Sequence, residues 1–327
     1  MKMRSTCLLA AALALNTIGP TGSASAQTST PGYPLSWITL GTQGGPIPNA
    51  KRSQPANLLV VAGKPWLVDC GDGALERLAA AGYEPSQVNT AFISHLHLDH
   101  IGGLQGLIGI RWFKPGKHSL LTIYGPPGTD AVVAGILQSL KPSARIEAGA
   151  GPKGATPETL TKVVIVKDGS DLSVDGVRIR AVRNAHFDTS PGQAADDGSQ
   201  SLAHRFDYQG YGIGYTGDTG PSDAVTRLAK GVNLLVSEVI DLQAWIATTN
   251  ASPMSPAEKQ AVIGHFKTQH LTPQEAGKVA AGAGAGRLVF THLSIVGTVE
   301  ATAPNLIKQA HESFKGAVFV AHDLDKF

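Results

Sequence analysis

Short apolar segments alternate with polar turns along most of the chain, which is the pattern of strands and helices around a shared core. Apolar runs bounded by glycine, proline or polar residues predict strands at 35–41, 57–63, 65–71, 88–95, 120–125, 162–169, 177–186, 210–218, 232–239, 287–292 and 317–323. Helical spacing predicts helices at 74–82, from 101 onward, and at 131–140, 221–231 and 303–315. This alternation predicts one α/β domain, and no linker divides it.

Several of the predicted strands end in a histidine or an acidic residue. The strand 88–95 runs into "HLHLDH", and three later strands end at His186, Asp218 and His292. Glu238 lies near the end of a further strand. Because strand ends of an α/β domain share a rim, we expect these side chains to meet there.

The first 26 residues have the three parts of a signal peptide. Lys2 and Arg4 supply positive charge, "CLLAAALAL" is an apolar core too short to span a bilayer, and "ASA" at 24–26 is a cleavage signature. The alternative is a buried N-terminal helix. We therefore predict a signal peptide at 1–26, a disordered mature N-terminus at 27–34 and one domain at 35–327, in a periplasmic or secreted protein.

The charge balance argues against a nucleic-acid-binding module. The chain has 27 basic and 25 acidic residues, and loss of Lys2 and Arg4 with the signal peptide leaves 25 of each sign. A neutral mature chain lacks the excess of cations that phosphate contacts require. Cys70 is then the one remaining cysteine, so we expect no internal disulfide and predict that Cys70 is a small buried residue.

The segment "ISHLHLDHIGG" concentrates metal-binding side chains in six positions. His95 and His97 are two residues apart at the end of a strand, so their imidazoles lie on the same side. Asp99 and His100 follow where the chain turns, so they can face a second metal nearby. Imidazole and carboxylate groups are zinc ligands, and catalytic zinc sites leave a position open for water. A polar surface loop is the simpler alternative.

Two metals need more ligands than this segment provides. His186, Asp218 and His292 can supply them from three separate strand ends, and an aspartate between two cations can bridge them, which suits Asp218 in "TGDTG". A non-catalytic exported metal-binding protein is a rival hypothesis, although no ligand is missing.

The chain resembles the metallo-β-lactamase superfamily and, within it, the ribonuclease Z/arylsulfatase-like branch. The matching stretches include "WLVDCGDG", "SHLHLDHIGGL", "NAHF", "YTGDTGP", "HLTPQEAGKVA" and "RLVFTHLS", in the family's order. The resemblance implies a single-domain αββα sandwich with metals at one edge. It implies that His95, His97 and His186 bind one metal and that Asp99, His100 and His292 bind the other. It implies that Asp218 bridges the two metals. It also implies that Asp69 braces the ligand loop, which is the loop that carries His95 to His100.

The assignment to this branch depends on His270. Thr272, Pro273 and Glu275 predict a capped helix start, which holds His270 just before a helix. His270 resembles the non-ligand histidine that this branch uses beside the leaving group, and Glu238 resembles the carboxylate that orients it.

Two features separate the chain from the tRNA-processing members of this branch. The bacterial enzymes carry a long basic arm between the ligands that match His186 and Asp218, whereas this chain has a short acidic segment there. Export would also separate the protein from cytoplasmic tRNA. We therefore expect a small-molecule ester substrate, no tRNA and no membrane contact. Oligomeric state stays open, with a homodimer as one option because relatives often form dimers.

The segment 240–268 is apolar in character and precedes His270. We predict a short helix capped by Ser255 and Glu258, and the segment is either a lid over the substrate or ordinary packing. Arg111, Trp112 and Phe113 are candidates for a wall of the same site. The remaining histidines lack a partner pattern and are predicted to be structural: His118, His204, His265, His311 and His322.

The predicted activity is hydrolysis by two divalent metal ions. Zinc is the default metal, with manganese, iron or nickel as alternatives for such ligands. A hydroxide shared by the metals attacks the substrate, Asp99 orients it, and His270 assists the leaving group with support from Glu238. Phosphodiesters are the favoured substrates because the branch pairs two metals with a leaving-group histidine. Lactones, β-lactams and aryl sulfate esters remain alternatives on the same centre.

Overall fold

The computed structural model describes residues 33–114, 119–146, 155–188 and 197–327. Within these ranges the chain forms a six-stranded sheet and a seven-stranded sheet, with helices packed on the outer face of each. The predicted signal peptide, residues 27–32 of the predicted disordered N-terminus and His118 lie outside the described residues. Among the described residues, no helix combines the length and the apolar character that crossing a bilayer requires.

The first sheet contains the strands of the N-terminal half in sequence order. They are β1 (Leu35–Gly41), β2 (Ala56–Val61), β3 (Lys64–Cys70), β4 (Thr90–Phe92), β5 (Leu121–Gly125) and β6 (Thr161–Ile165). The pairs β1–β2 and β2–β3 are antiparallel, and the pairs from β3 to β6 are parallel.

The second sheet contains the later strands. They are β7 (Asp171–Val174), β8 (Val177–Arg183), β9 (Leu202–Tyr208), β10 (Tyr211–Tyr215), β11 (Leu234–Ile240), β12 (Arg287–Ser294) and β13 (Ala317–Val320), again adjacent in sequence order. The strands β10 to β13 are parallel, while β7 to β10 pair antiparallel. Consequently β8, β10, β11 and β12 all end at one edge of the sheet.

Helices cover both sheets. The first sheet carries α1 (Ala74–Ala80), α2 (Leu98–Ile101), α3 (Leu104–Phe113) and α4 (Thr129–Ile146), with a 3-10 turn at Pro85–Gln87. The second sheet carries α5 (Asp223–Leu228), α8 (Pro273–Ala283) and α9 (Val299–Ala310). A hairpin of α6 (Leu242–Ala251) and α7 (Pro256–Gln269) is inserted between β11 and α8.

Large aromatic side chains fill the space between the two sheets. Trp37 and Trp66 from the first sheet are buried, and Trp37 lies 5.6 Å from the ring of Tyr215 and 6.4 Å from that of Phe206. Phe92 meets Phe206 edge to face at 5.3 Å. Burial of such rings contributes about 1.5–3 kcal/mol each, so this layer joins the sheets into one body. The predicted single-domain αββα sandwich is confirmed.

Several elements differ from the sequence prediction, among them β7, β9 and the last helix. β7 and β9 were not predicted, because polar residues such as Arg205 and Asp207 interrupt the apolar pattern of β9. The last helix starts at Val299 rather than 303, because the hydroxyl of Thr298 accepts a hydrogen bond from the amide of Ala301 and caps the helix there. The cap predicted at Ser255 is confirmed as a capping box that begins α7.

Candidate active site

Three imidazoles from two distant segments form a first group at the edge of the sandwich. Nε2 of His95 and Nε2 of His186 each lie 3.1 Å from Nδ1 of His97. His95 follows β4 and His186 follows β8, and both are buried, whereas His97 is exposed at the rim. Three ring nitrogens at such short distances could share one cation.

A second group forms beside the first. His97 is the N-terminal cap residue of α2, so Asp99 and His100 lie on the first turn of that helix. Oδ2 of Asp99 lies 3.6 Å from Nε2 of His100 and 3.6 Å from Nε2 of His292. These three residues also have the donor types and spacing of a metal site.

Asp218 lies between the two groups. Its Oδ2 is 4.0 Å from Nε2 of His95 and 3.9 Å from that of His186, and 3.5 Å from Nε2 of His100 and 3.0 Å from that of His292. The preceding Gly217 has φ +58°, and a Cβ there would lie 2.8 Å from the carbonyl oxygen of Leu202. A glycine is therefore required to bring this carboxylate to the centre.

An irregularity in the sheet aims His292 and Glu238 at the site. Ser237 pairs with Phe290 and Val239 with Leu293, so β12 has one more residue than β11 in this interval. His292 takes a left-handed conformation, with φ +42°. Non-glycine residues in this conformation store strain and are concentrated at functional sites.

Asp69 holds the ligand loop in place. Its Oδ1 accepts from the amide of Ser94 at 2.7 Å, and its Oδ2 accepts from Ser94 Oγ at 2.8 Å, His100 Nδ1 at 2.9 Å and Tyr215 OH at 2.7 Å. Ser94 Oγ lies 3.1 Å from Nδ1 of His95. A carboxylate can only accept, so His100 carries its proton on Nδ1 and turns Nε2 toward the second group.

His186 is oriented by a backbone carbonyl. Its Nδ1 lies 3.0 Å from the carbonyl oxygen of Gln269, which cannot donate, so Nδ1 carries the proton. Burial lowers the pKa of His186 well below its ordinary value, so the ring is neutral. Its Nε2 therefore presents a lone pair to the first group.

The second group favours positive charge. Burial alone would lower the pKa of His292, but the adjacent Asp218 and Asp99 raise it to about 10. Burial alone would likewise lower the pKa of His100, but Asp218 and Asp69 raise it well above its ordinary value. A divalent cation would supply the positive charge that these carboxylates stabilise.

Buried polar atoms without hydrogen-bond partners fit a metal ion at this place. Among the described residues, Nε2 of His100 and Oδ1 of Asp218 are buried and have no hydrogen-bond partner. Such atoms are costly unless a water or an ion satisfies them. Both belong to the residues that would hold the metals, so the donor set fits divalent metal ions.

A hydrogen-bonded pair lies next to the two groups. Nδ1 of His270 lies 2.8 Å from Oε2 of Glu238, and Oε1 of Glu238 accepts from the amide of Thr219 at 2.7 Å. Thr272 and Glu275 form the predicted capping box that begins α8, just after His270. The ring of His270 lies 5.1 Å from that of His186. The pair predicted from the sequence is therefore present at the site.

Several residues at the site were not identified from the sequence. His265, predicted to be structural, lies on α7 with its ring 5.2 Å from His270. Phe187 contacts all three imidazoles of the first group, at ring distances of 5.7, 5.2 and 5.2 Å. The sequence signal for Phe187 is its position next to His186. Because α7 carries His265, the hairpin of α6 and α7 borders the site; whether it moves as a lid stays a prediction.

The suggested wall of Arg111, Trp112 and Phe113 is not supported. Arg111 donates to the carbonyls of Pro85 and Ser86, and Trp112 Nε1 donates to the carbonyl of Ala155. Phe113 is half exposed beside α4. These residues brace the outer helices of the first sheet because their contacts lie there.

The fold and the site together define a class of protein. An αββα sandwich whose edge brings seven imidazole and carboxylate side chains into two adjoining groups is the framework of a metal-dependent hydrolase. The hydrogen-bonded pair of His270 and Glu238 beside them is consistent with this class.

Comparisons with known proteins identify the family. Residues 66–293 match the beta-lactamase superfamily domain, and the chain belongs to that superfamily in its metallo-β-lactamase-fold form. It is 33% identical over 297 residues to a ribonuclease Z of Mycobacterium avium, with 88% of this chain and 96% of the relative covered. It is similar in fold to the metallo-β-lactamase fold protein YhfI of Bacillus subtilis, with a TM-score of 0.65, 24% identity and 90% and 100% of the two chains covered. The short form of human tRNase Z has the same fold, with a TM-score of 0.61, 21% identity and 89% and 98% coverage.

Proposed function

We propose that the protein is a dinuclear-metal hydrolase of small phosphodiester-type esters. The observation that carries the proposal is the position of Asp218 between two groups of ligands, with the Glu238–His270 pair beside them. Zinc is the favoured metal, and manganese, iron and nickel are alternatives for the same ligands.

Seven side chains would hold the ions. His95, His97 and His186 would bind one, Asp99, His100 and His292 the other, and Asp218 both. When bound, two divalent ions lower the pKa of a water molecule and stabilise the negative charge that develops at the reacting centre. Asp99 also accepts a hydrogen bond from the attacking water and orients it.

His270 serves the leaving group. Its Nδ1 is engaged by Glu238, which fixes the ring and leaves Nε2 for the substrate. Nε2 donates a proton to the oxygen that departs, and Glu238 stabilises the ring during the transfer. Glu238 is itself fixed by the amide of Thr219, so the pair is anchored to the backbone at its carboxylate end.

The substrate differs from tRNA in this proposal, although the relatives in the comparison are named ribonuclease Z. The segment between His186 and Asp218 is short, and "FDTSPGQAADDGSQ" within it contains acidic residues and no lysine or arginine. A tRNA contact would need cations. We also propose that residues 1–26 direct export, since they have the charge, apolar core and cleavage signature of a signal peptide. Mass spectrometry of the secreted protein should give an N-terminus at Gln27.

A substrate panel and metal analysis test the activity together. The panel contains bis(p-nitrophenyl) phosphate, nitrocefin, an acyl-homoserine lactone and an aryl sulfate, each assayed with protein of measured metal content. We expect two metal ions per chain and turnover of the phosphodiester. Turnover of a carbonyl or sulfate substrate without turnover of the phosphodiester would refute the phosphodiester assignment, and at most one ion per chain would refute the dinuclear centre.

A further inference from the structure

A cleft of about 460 Å³ opens beside the first group of imidazoles. His97, the exposed member of that group, lines it, as does Gln269, whose carbonyl orients His186. Phe187 also lines the cleft and contacts the rings of all three imidazoles. A molecule in this cleft therefore lies against the first group, and the volume is that of a small-ligand site.

The lining of the cleft combines an apolar wall with a polar wall. Leu96, Pro127 and Phe187 form the first, and Asp197, Ser199 and Gln200 belong to the second. No lysine or arginine is among the lining residues of the described chain. An apolar wall with a few polar groups is typical of sites that bind small organic molecules.

The polar wall is held in place by backbone hydrogen bonds. Oδ1 of Asp197 accepts from the amide of Ser199 at 2.9 Å, and Oε1 of Gln200 accepts from the amide of Asp168 at 3.0 Å. The hydrogen bond from Ser199 lowers the pKa of Asp197, so this carboxylate is ionised at neutral pH. It places one fixed negative charge at the cleft.

We infer that this cleft binds the group of the ester that remains on the electrophilic centre, and that this group is compact, largely apolar and free of negative charge. The inference depends on the proposed function. His270, which would serve the leaving group, is not among the described residues that line the cleft, so the cleft is assigned to the retained group. A carboxylate or phosphate in the cleft would be desolvated against Leu96, Pro127 and Phe187 and repelled by Asp197. A polynucleotide carries a negative charge on every phosphate, so it does not fit this description of the retained group.

Two phosphodiesters with the same leaving group test the inference. They are p-nitrophenyl phenyl phosphate and its analogue with a carboxylate at the para position of the retained phenyl ring. We expect metal-loaded wild-type protein to favour the ester without the carboxylate about tenfold in kcat/KM. Asp197→Asn should reduce that preference about threefold, and the difference between the variants should shrink at high salt.

Glu312→Gln is the matched control, because Glu312 is exposed at the end of α9 and its loss changes the net charge equally. Its preference should equal that of the wild type. The inference would be overturned if the wild type hydrolysed the two esters with a kcat/KM ratio near one. It would also be overturned if Asp197→Asn and Glu312→Gln changed that ratio equally.

Calorimetry separates this inference from the proposed activity. Metal-loaded protein is titrated with phenylphosphonate and with 4-carboxyphenylphosphonate. If neither diester is hydrolysed, the phosphodiester function fails, and a binding preference for phenylphosphonate that weakens in Asp197→Asn still supports the cleft. Equal binding of the two phosphonates refutes it.

Discussion

Asp69→Asn should weaken metal binding without removing any metal ligand. The four donors around Asp69 are the amide and hydroxyl of Ser94, Nδ1 of His100 and the hydroxyl of Tyr215. A carboxamide has one accepting oxygen and one donating nitrogen, so one side of it must face a donor. If the carboxamide nitrogen lies at the Oδ1 position, it faces the amide N–H of Ser94, which is also a donor. If it lies at the Oδ2 position, it faces the protonated Nδ1 of His100.

The second arrangement is relieved only if His100 moves its proton to Nε2. That change removes the lone pair that His100 would offer to the second metal. Loss of such an orienting partner typically costs about 10–100-fold in metal affinity. A buried donor left opposite another donor costs about 1–3 kcal/mol, so the free energy of unfolding of the metal-free protein should fall by that amount.

Competition with a chromophoric chelator measures the zinc affinities, and urea unfolding of metal-free protein measures stability. Tyr215→Phe is the matched control: it removes one hydrogen bond to Asp69 but leaves the ring in the core and the proton of His100 on Nδ1. It should cost about 1 kcal/mol of stability and leave the zinc affinities unchanged. Wild-type zinc affinity in Asp69→Asn, or an equal loss in both variants, would refute the argument from the proton on His100.

Three further predictions follow from the site and the core. Chelation of the metals should abolish hydrolysis and lower the melting temperature, because bound zinc at 100 times its Kd stabilises by about 2.7 kcal/mol; added zinc should restore both. His270→Ala should slow esters with poor leaving groups more than those with good ones, and equal losses would exclude an acid role. Burial lowers the pKa of His204 to about 4, so the unfolded chain binds this proton first as pH falls from 7. Metal-free wild type should therefore lose about 2.4 kcal/mol more stability than His204→Leu between pH 7 and 4.5; parallel curves would contradict this.

Strand ends were the part of the site that the sequence could predict. Apolar runs that stop at His186, Asp218 and His292 mark the ends of β8, β10 and β12, and the direction of these strands brings the ends together. The spacing of His95 and His97 predicts two imidazoles on one side for the same reason. The periodicity of apolar residues and the chemistry of donor side chains are local properties, so both can be read from a single sequence.

Contacts that depend on backbone position could not be predicted in the same way. The carbonyl of Gln269 orients His186, but any residue at 269 has a carbonyl, so no side chain signals the contact. The left-handed conformation of His292 is likewise hidden, because it arises from the extra residue in β12 rather than from a glycine. The helix α6 is rich in β-branched residues and is supported by the contact of Trp245 with Phe266 at 5.5 Å, which is a tertiary effect.

The proposed metal centre and the proposed binding cleft use largely different parts of this chain. The side chains proposed to bind metal lie at or near strand ends, where sheet packing fixes their positions. Pro127 lies in the β5–α4 loop, which contributes none of them, and Asp197 lies in the β8–β9 loop, apart in sequence from its one proposed ligand, His186. Loop residues can therefore change without displacing the centre. Sequence similarity to proteins named ribonuclease Z is consequently better evidence for the proposed metal centre than for the ligand of the cleft. A substrate pair that differs only in the retained group tests the cleft separately, because the centre and the leaving group stay constant.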